Sequence, residues 1–169
     1  GKNPPSVQLT QDATVTHDIM RAFATQFFQS TQDETVGWQK KSLKDKVATL
    51  ENALASKKVT YTLAVYTAEG GHAILPYAVE YNGPDEAKIK VYDSNWPGRN
   101  RYVDVDLKSE KWTFSFAGED PANDPGAWHG GAQDMDLTPF EARQGSCPFC
   151  SDGTKVDSTT LLVRTTDLN

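Results

Sequence analysis

The spacing of apolar residues changes near Val59, and this change limits the fold more strongly than any other feature of the sequence. Before Val59, apolar side chains recur every three or four positions, which is the spacing of helices that bury one face. After it, apolar and polar residues alternate, which is the spacing of strands. The sequence therefore predicts a helical part over residues 1–57 and a mainly β part over residues 58–169. Helices followed by an antiparallel sheet make an α+β fold, with the N-terminal helices packed on the sheet.

Two amphipathic helices are predicted in the helical part. The first covers about residues 14–29, and the second follows Ser42 and ends near Ser56. Ser42 with Asp45 three positions later resembles an N-terminal capping pattern. The apolar positions are Val15, Ile19, Phe23 and Phe27 in the first helix, and Leu43, Val47, Leu50 and Leu54 in the second. Residues 30–41 are mostly polar, and we predict a loop there.

The β part is divided by turn signals into several predicted strands. These strands lie at 59–65, 72–81, 89–91, 102–107, 112–116 and 161–164. The sequence Asn-Gly-Pro-Asp at residues 82–85 is a strong turn signal, which favours a hairpin between the second and third strands. Residues 118–131 are rich in Gly, Pro, Asp and Asn, and they predict a long surface loop.

Composition excludes two classes of function. The chain has 169 residues, of which 37% are hydrophobic, enough for the core of a single domain. Its net charge of −6 argues against a nucleic-acid partner, because binding phosphates requires a basic surface. No apolar stretch approaches the roughly 20 residues that a membrane-spanning helix requires.

A histidine and an aspartate are the leading candidates for chemistry. His72 follows two glycines at the start of the second strand, and Asp93 ends the third. If these strands form a hairpin, antiparallel pairing brings both residues to the same end of the sheet. A carboxylate that accepts from one imidazole nitrogen leaves the other nitrogen free to act as a base. Two plainer interpretations remain open: His72 is a structural residue, or residues 93–95 form a turn bonded to its own backbone.

These motifs resemble a known family. The sequence Gly-Gly-His-Ala-Ile-Leu-Pro-Tyr at 70–77, with Val-Tyr-Asp-Ser-Asn at 91–95, resembles the His and Asp/Asn half of papain-like cysteine peptidases. It is most similar to bacterial peptidase-like proteins with Gly-Gly-His-Ala-Val-x-Pro-Tyr and Val-Tyr-Asp-x-Asn. The resemblance, which covers about residues 43–116, implies a papain-like fold without cofactor or metal. It assigns His72 as the base and Asp93 as the orienting residue, with Asn95 as the alternative.

One element of the family pattern is missing. The family's cysteine nucleophile precedes the histidine and starts a helix, whereas residues 1–71 contain no cysteine. The nucleophile lies on a segment outside this chain, or the protein is a pseudo-enzyme, or Cys147 serves in a permuted arrangement. We favour the first explanation. The chain is then a fragment or processed part of a larger protein. We expect an apolar groove that a second polypeptide fills, and we expect no cysteine peptidase activity from the isolated chain.

Cys147 and Cys150 stand together as Cys-Pro-Phe-Cys. Such a pair is half of a zinc site, a redox pair, a local disulfide or two unpaired thiols. A small-loop disulfide is the preferred interpretation, because the three histidines are scattered and the residues after Cys150 predict a turn rather than a helix. With the resemblance, this pair favours a secreted or cell-surface location.

Two hypotheses for function follow. In the first, the chain is the His/Asp-bearing part of a papain-like cysteine peptidase or acyltransferase that acts on a peptide or acyl substrate. In the second, it is a catalytically inactive papain-like domain that serves as a secreted binding module.

Overall fold

The computed structural model describes residues 13–116, 118 and 120–144. Within them the helices are α1 (Ala13–Ala24), α2 (Gln29–Gln39) and α3 (Leu43–Ser56). The strands are β1 (Tyr61–Thr67), β2 (Gly70–Tyr81), β3 (Glu86–Tyr92), β4 (Arg101–Asp106), β5 (Lys111–Phe114), β6 (Trp128–Gly131) and β7 (Met135–Pro139). The strand predicted at 161–164 and the cysteines at 147 and 150 lie outside the described residues. None of the described helices is both long and apolar enough to cross a membrane.

All seven strands form one antiparallel sheet in the order β6-β5-β4-β3-β2-β1-β7. The sheet is curled, so that β1 also contacts β6. The three helices pack against this sheet, and the predicted α+β class is confirmed. Strands β1 to β5 follow the chain order, because short turns connect successive antiparallel neighbours.

The core lies between the curled sheet and α3. Leu43, Val47 and Leu50 fall on one face of α3 and are fully buried against the sheet. Their sheet partners include Leu63, Val65, Ile74, Ile89, Val91, Val103, Val105, Trp112, Phe114, Met135 and Leu137. Each buried aliphatic side chain contributes about 1.5–3 kcal/mol relative to exposure, which makes this face the main stabilising contact of the helix.

The predicted start of α3 is confirmed in detail. Ser42 is its N-cap, and the Ser42 hydroxyl accepts from the backbone N–H of Asp45 at 3.1 Å. The helix ends at Ser56, where Lys57 takes a left-handed conformation with φ 55°. A satisfied N-terminal donor and a left-handed C-terminal residue are the two common ways to close a helix.

The loop predicted at 30–41 is wrong, because α2 occupies most of that segment. Thr31 and Trp38 of α2 are buried, and the helix packs on β7. The Trp38 indole N–H donates to Glu34 at 2.9 Å, one turn earlier. This helix has no apolar stripe in its sequence, so its stability comes from tertiary contacts that the local pattern does not reveal.

The first predicted helix is right as far as Ala24 and wrong beyond it. The chain continues as a short 3-10 helix, Thr25–Phe27, and Phe28 is extended before α2 begins. The apolar positions of α1 include Ile19 and Phe23, and both are exposed. The helical spacing is therefore real, but the apolar face is not buried against the described residues.

The five strands predicted between residues 59 and 116 are confirmed as β1 to β5. Gly70 and Gly71 belong to β2, which therefore begins two residues before the predicted strand. The surface loop predicted at 118–131 contains β6, and β7 was not predicted at all. These two strands escape sequence patterns because β6 has two glycines in four residues, and β7 buries an aspartate and a threonine.

Candidate functional site

His72 and Asp93 meet at one end of the sheet, as the sequence predicts. Strands β2 and β3 pair antiparallel, with Leu75 opposite Tyr92, so the start of one strand adjoins the end of the other. His72 Nε2 lies 3.0 Å from Asp93 Oδ2, within hydrogen-bonding distance. The Asp93 side chain is 1% exposed and the His72 side chain is 12% exposed. The imidazole is thus held by a buried carboxylate without being fully enclosed itself.

The two carboxylate oxygens of Asp93 have different partners. Oδ2 meets His72, whereas Oδ1 accepts from the backbone N–H of Asn95 at 2.9 Å. The Asp93 carbonyl also accepts from the backbone N–H of Trp96 at 3.0 Å. The turn at residues 93–95 and the predicted contact between His72 and Asp93 are therefore both present. The oxygen that meets the ring belongs to Asp93 and not to the alternative residue Asn95, which takes part through its backbone.

A buried arginine, which was not among the residues predicted from the sequence, completes the site. Arg101 is 1% exposed, and its Nη2 lies 3.6 Å from Asp93 Oδ2. The same Nη2 donates to the backbone carbonyl of Ser115 and to that of Phe116, the latter at 2.9 Å. Arg101 begins β4 opposite Val91, at a position that alternates inward with the buried residues Val103 and Val105. A cation in an inward strand position is the signal that predicts a buried ion pair.

The surroundings of Asp93 keep it ionised. Burial raises the pKa of its carboxyl, but the hydrogen bonds from His72 and the Asn95 N–H, with the charges of His72 and Arg101, together outweigh burial. The pKa of Asp93 is therefore below its ordinary value. An ionised carboxylate only accepts hydrogen bonds, which assigns the proton of a neutral His72 ring to Nε2. Nδ1 then carries a lone pair, and it has no hydrogen bond to any described residue.

Aromatic rings enclose the imidazole. The Phe114 ring centroid lies 5.8 Å from that of His72, and the Phe116 centroid lies at 5.2 Å in an edge-to-face arrangement. Phe114 is buried, whereas Phe116 remains partly exposed. The His72 ring thus contacts apolar rings on one side and the buried charged pair of Asp93 and Arg101 on the other.

The described residues contain no cysteine, and the two cysteines of the sequence, Cys147 and Cys150, lie outside them. No thiol of the described residues therefore lies beside His72. In the described part of the chain, no three His, Cys, Asp or Glu side chains lie close enough together to hold a metal ion.

A groove of about 520 Å³ lies elsewhere, between the end of α1, strands β1 and β2, and the segment after β7. Phe23, Ala73 and Phe140 line it together with Arg143. Ala73 follows His72 in β2, and successive side chains of a strand point to opposite faces, so the groove and the imidazole are on different faces of the sheet. The groove is separate from the His72–Asp93 site.

Comparisons with protein families, with curated proteins and with solved structures each find no match for this chain.

Proposed function

We propose that this chain is the His/Asp-bearing part of a papain-like cysteine peptidase or acyltransferase, with its thiol supplied from a segment outside the chain. The observation that carries the proposal is the 3.0 Å contact between His72 Nε2 and a buried, ionised Asp93. A carboxylate that orients an imidazole through one nitrogen is the arrangement that general-base catalysis requires. The α+β order of the chain, with helices before an antiparallel sheet, agrees with a papain-like fold.

In the proposed mechanism His72 takes a proton from the thiol and later gives it to the leaving group. Nδ1 accepts the proton of the incoming thiol, and the resulting thiolate attacks the acyl carbon of the substrate. Attack forms the C–S bond. The C–N or C–O bond of the substrate then breaks, and the imidazolium gives its proton to the leaving amine or alcohol, which leaves a thioester. Asp93 remains ionised throughout and stabilises the imidazolium, while Arg101 and the Asn95 N–H hold the carboxylate in place.

The supply of a thiol from outside explains why residues 1–71 lack a cysteine. The partner in this proposal is a second polypeptide, and the substrate is a peptide or another acyl compound. A secreted or cell-surface location belongs to the same proposal and rests on the resemblance and on the Cys147/Cys150 pair. The apolar groove beside α1 is consistent with a docked polypeptide, although it faces away from His72.

The proposal predicts that the chain accelerates reactions of an added thiol. We expect no peptide hydrolysis by the chain alone. With N-acetylcysteamine and a p-nitrophenyl ester, we expect the thiol-dependent release of p-nitrophenol at pH 7 to be at least about tenfold faster with the wild-type chain than with His72→Gln. This factor lies below the 10²–10⁴ of a fully positioned base, because a free thiol is not held in place.

His129→Gln is the matched control, since His129 is exposed on β6 and its ring hydrogen-bonds to Thr113 rather than to a carboxylate. It should behave as the wild type. A double variant with Cys147→Ser and Cys150→Ser should also retain the acceleration. Equal rates for wild type and His72→Gln would refute the proposal, and dependence on Cys147 would replace it with the permuted arrangement.

The second candidate is a catalytically silent binding module. The observation that favours it is the set of exposed apolar residues on and after α1, namely Ile19, Met20, Phe23 and Phe27. Contiguous exposed apolar side chains mark interaction surfaces more often than chance. In that case Asp93, with its buried Arg101 and turn contacts, has a structural role, and the thiol assay shows no effect of His72.

A further inference from the structure

Three aromatic residues near the His–Asp pair, namely Trp96, Phe116 and Trp128, form what we call the aromatic wall. Trp96 and Phe116 are exposed, and Trp128 is partly buried against the core. The rings of Phe116 and Trp128 are stacked, with centroids 5.0 Å apart and planes 16° from parallel. Phe116 and Trp96 are each 38% exposed. Since burial of an aromatic ring is strongly favourable, the exposed rings of Trp96 and Phe116 offer contact area to a ligand.

The wall is held rigidly by the same groups that hold the His–Asp pair. The backbone carbonyl of Phe116 accepts from the Trp96 indole N–H at 3.1 Å and from Arg101 Nη2 at 2.9 Å. Arg101 is the residue whose Nη2 lies beside Asp93. A binding surface whose backbone is fixed before the ligand binds loses little conformational entropy on binding. Its affinity is therefore higher than that of a flexible surface with the same contacts.

The position of the wall relates it to the reaction site. The Phe116 ring stands edge-on to the His72 ring, with centroids 5.2 Å apart and planes at 70°. A substrate group that reacts beside His72 is therefore also close to the Phe116 ring. None of the three wall side chains carries a charge, so the contact favours an uncharged apolar ligand group.

We propose that the aromatic wall is a substrate subsite, and that it binds an apolar side chain, above all an aromatic one, next to the acyl carbon that the thiol attacks. This inference rests on the proposed function for the identity of the reacting group. It also makes a separate claim, namely that the wall binds aromatic peptide side chains whether or not a thiol is present.

The claim is tested by nuclear magnetic resonance titration of the chain with two peptides, N-acetyl-Gly-Phe-amide and N-acetyl-Gly-Ala-amide. We expect the phenylalanine peptide to shift the indole N–H signals of Trp96 and Trp128, and to bind at least about fivefold more tightly than the alanine peptide. Trp38, which is buried on α2, serves as the internal reference.

Variants separate the wall from the reaction. Phe116→Ala should lower the affinity for the phenylalanine peptide at least about fivefold. Phe27→Ala, which removes a 57% exposed phenylalanine beside α1, should leave this affinity unchanged. His72→Gln should retain binding while abolishing the thiol reaction. Equal affinity for the two peptides, or no effect of Phe116→Ala, would overturn the subsite. Retained binding with no thiol acceleration would overturn the proposed function and leave the subsite standing.

Discussion

Asp93 connects a turn, an imidazole and a buried guanidinium through a single carboxylate. Its two oxygens contact His72, the backbone of Asn95 and Arg101, and its side chain is almost completely enclosed. A buried charge pair adds little net stability when it is intact, because desolvation offsets the attraction. Removal of one partner is costly, however, since the attraction that offsets the desolvation of the other is lost.

The substitution Asp93→Ala should therefore lower the free energy of unfolding by about 3–5 kcal/mol, because His72, the Asn95 N–H and Arg101 all lose the buried carboxylate. The loss should depend on pH. Since the folded pKa of Asp93 is below its ordinary value, its contribution is present at pH above about 4 and disappears as the pH falls through the folded pKa. Urea unfolding at pH 7 and at successively lower pH measures both effects.

The exposed turn residue Asp85 provides the comparison for this measurement. Asp85→Ala should change the free energy of unfolding by less than about 0.5 kcal/mol at either pH. An Asp93→Ala protein as stable as Asp85→Ala would mean that Asp93 and Arg101 are not coupled in the folded state.

Sequence alone placed the His72–Asp93 pair, because a strong turn at 82–85 fixes which strand ends adjoin. It missed Arg101, although the alternation with Val103 and Val105 contains the signal. It also missed the stacking of Phe116 on Trp128. That contact requires β5 to pair with β6, and a strand with two glycines among its four residues carries no alternation to predict it.

Among the elements, α2 and β6 show how tertiary contacts override local patterns, and each contains a glycine that tests its geometry. In α2, a Cβ added at Gly37 meets nothing within 4 Å. In β6, a Cβ at Gly130 would lie 2.3 Å from the ring of Trp112. Trp112 is fully buried and its indole N–H donates to the Gly131 carbonyl at 2.9 Å, so the ring has little freedom to move.

The two glycines should respond to alanine in opposite directions. Gly37→Ala should raise the free energy of unfolding by about 0.5–1 kcal/mol, because alanine has the better helix propensity. Gly130→Ala should lower it by about 1–3 kcal/mol, because the added methyl group overpacks the core. Thermal or urea unfolding of both variants measures the difference. A destabilised Gly37→Ala protein would indicate that residues 29–39 are not helical in solution.

For the molecule as a whole, the arrangement of helices before strands was predictable, whereas the outer strand β7 was not. The inward and outward positions of β7 are both buried, since α2 covers the face that carries Asp136 and Thr138. A strand covered on both faces shows no alternation, and polar residues on it resemble a loop. The local alternation of apolar and polar residues does not reveal β7, because the helix that covers its second face, α2, is distant in the sequence.

Global stability should have a maximum in mildly alkaline solution because of Lys46. This lysine is fully buried on α3 and donates to the Ala132 carbonyl between β6 and β7. Burial lowers the pKa of Lys46 to about 8, against the opposing charges of Asp136, Glu110 and Asp134. Above pH 8 the unfolded chain binds more protons than the folded protein, so stability rises with pH, by at most about 1.4 kcal/mol per unit.

Tyrosines reverse this rise at higher pH. Burial and the neighbouring Asp136 raise the pKa of Tyr66 well above its ordinary value, so near pH 10 the unfolded chain loses protons that the folded protein retains. We expect the free energy of unfolding to increase from pH 8 to about 9.5 and then to fall. Lys46→Met should abolish the increase, whereas Lys44→Met, on the exposed side of α3, should retain it. A flat wild-type profile over this range would contradict the buried lysine.

The location of Trp128 on a four-residue terminal strand has a consequence for thermal fluctuations. Short outermost strands fray first, and their amides exchange with solvent long before those of central strands. His72 and Asp93 belong to the interior of the sheet order, so transient detachment of β6 would remove half of the ring stack and leave the imidazole and carboxylate engaged. Warming should therefore reduce the proposed discrimination between ligands at a lower temperature than it reduces the proposed proton transfer.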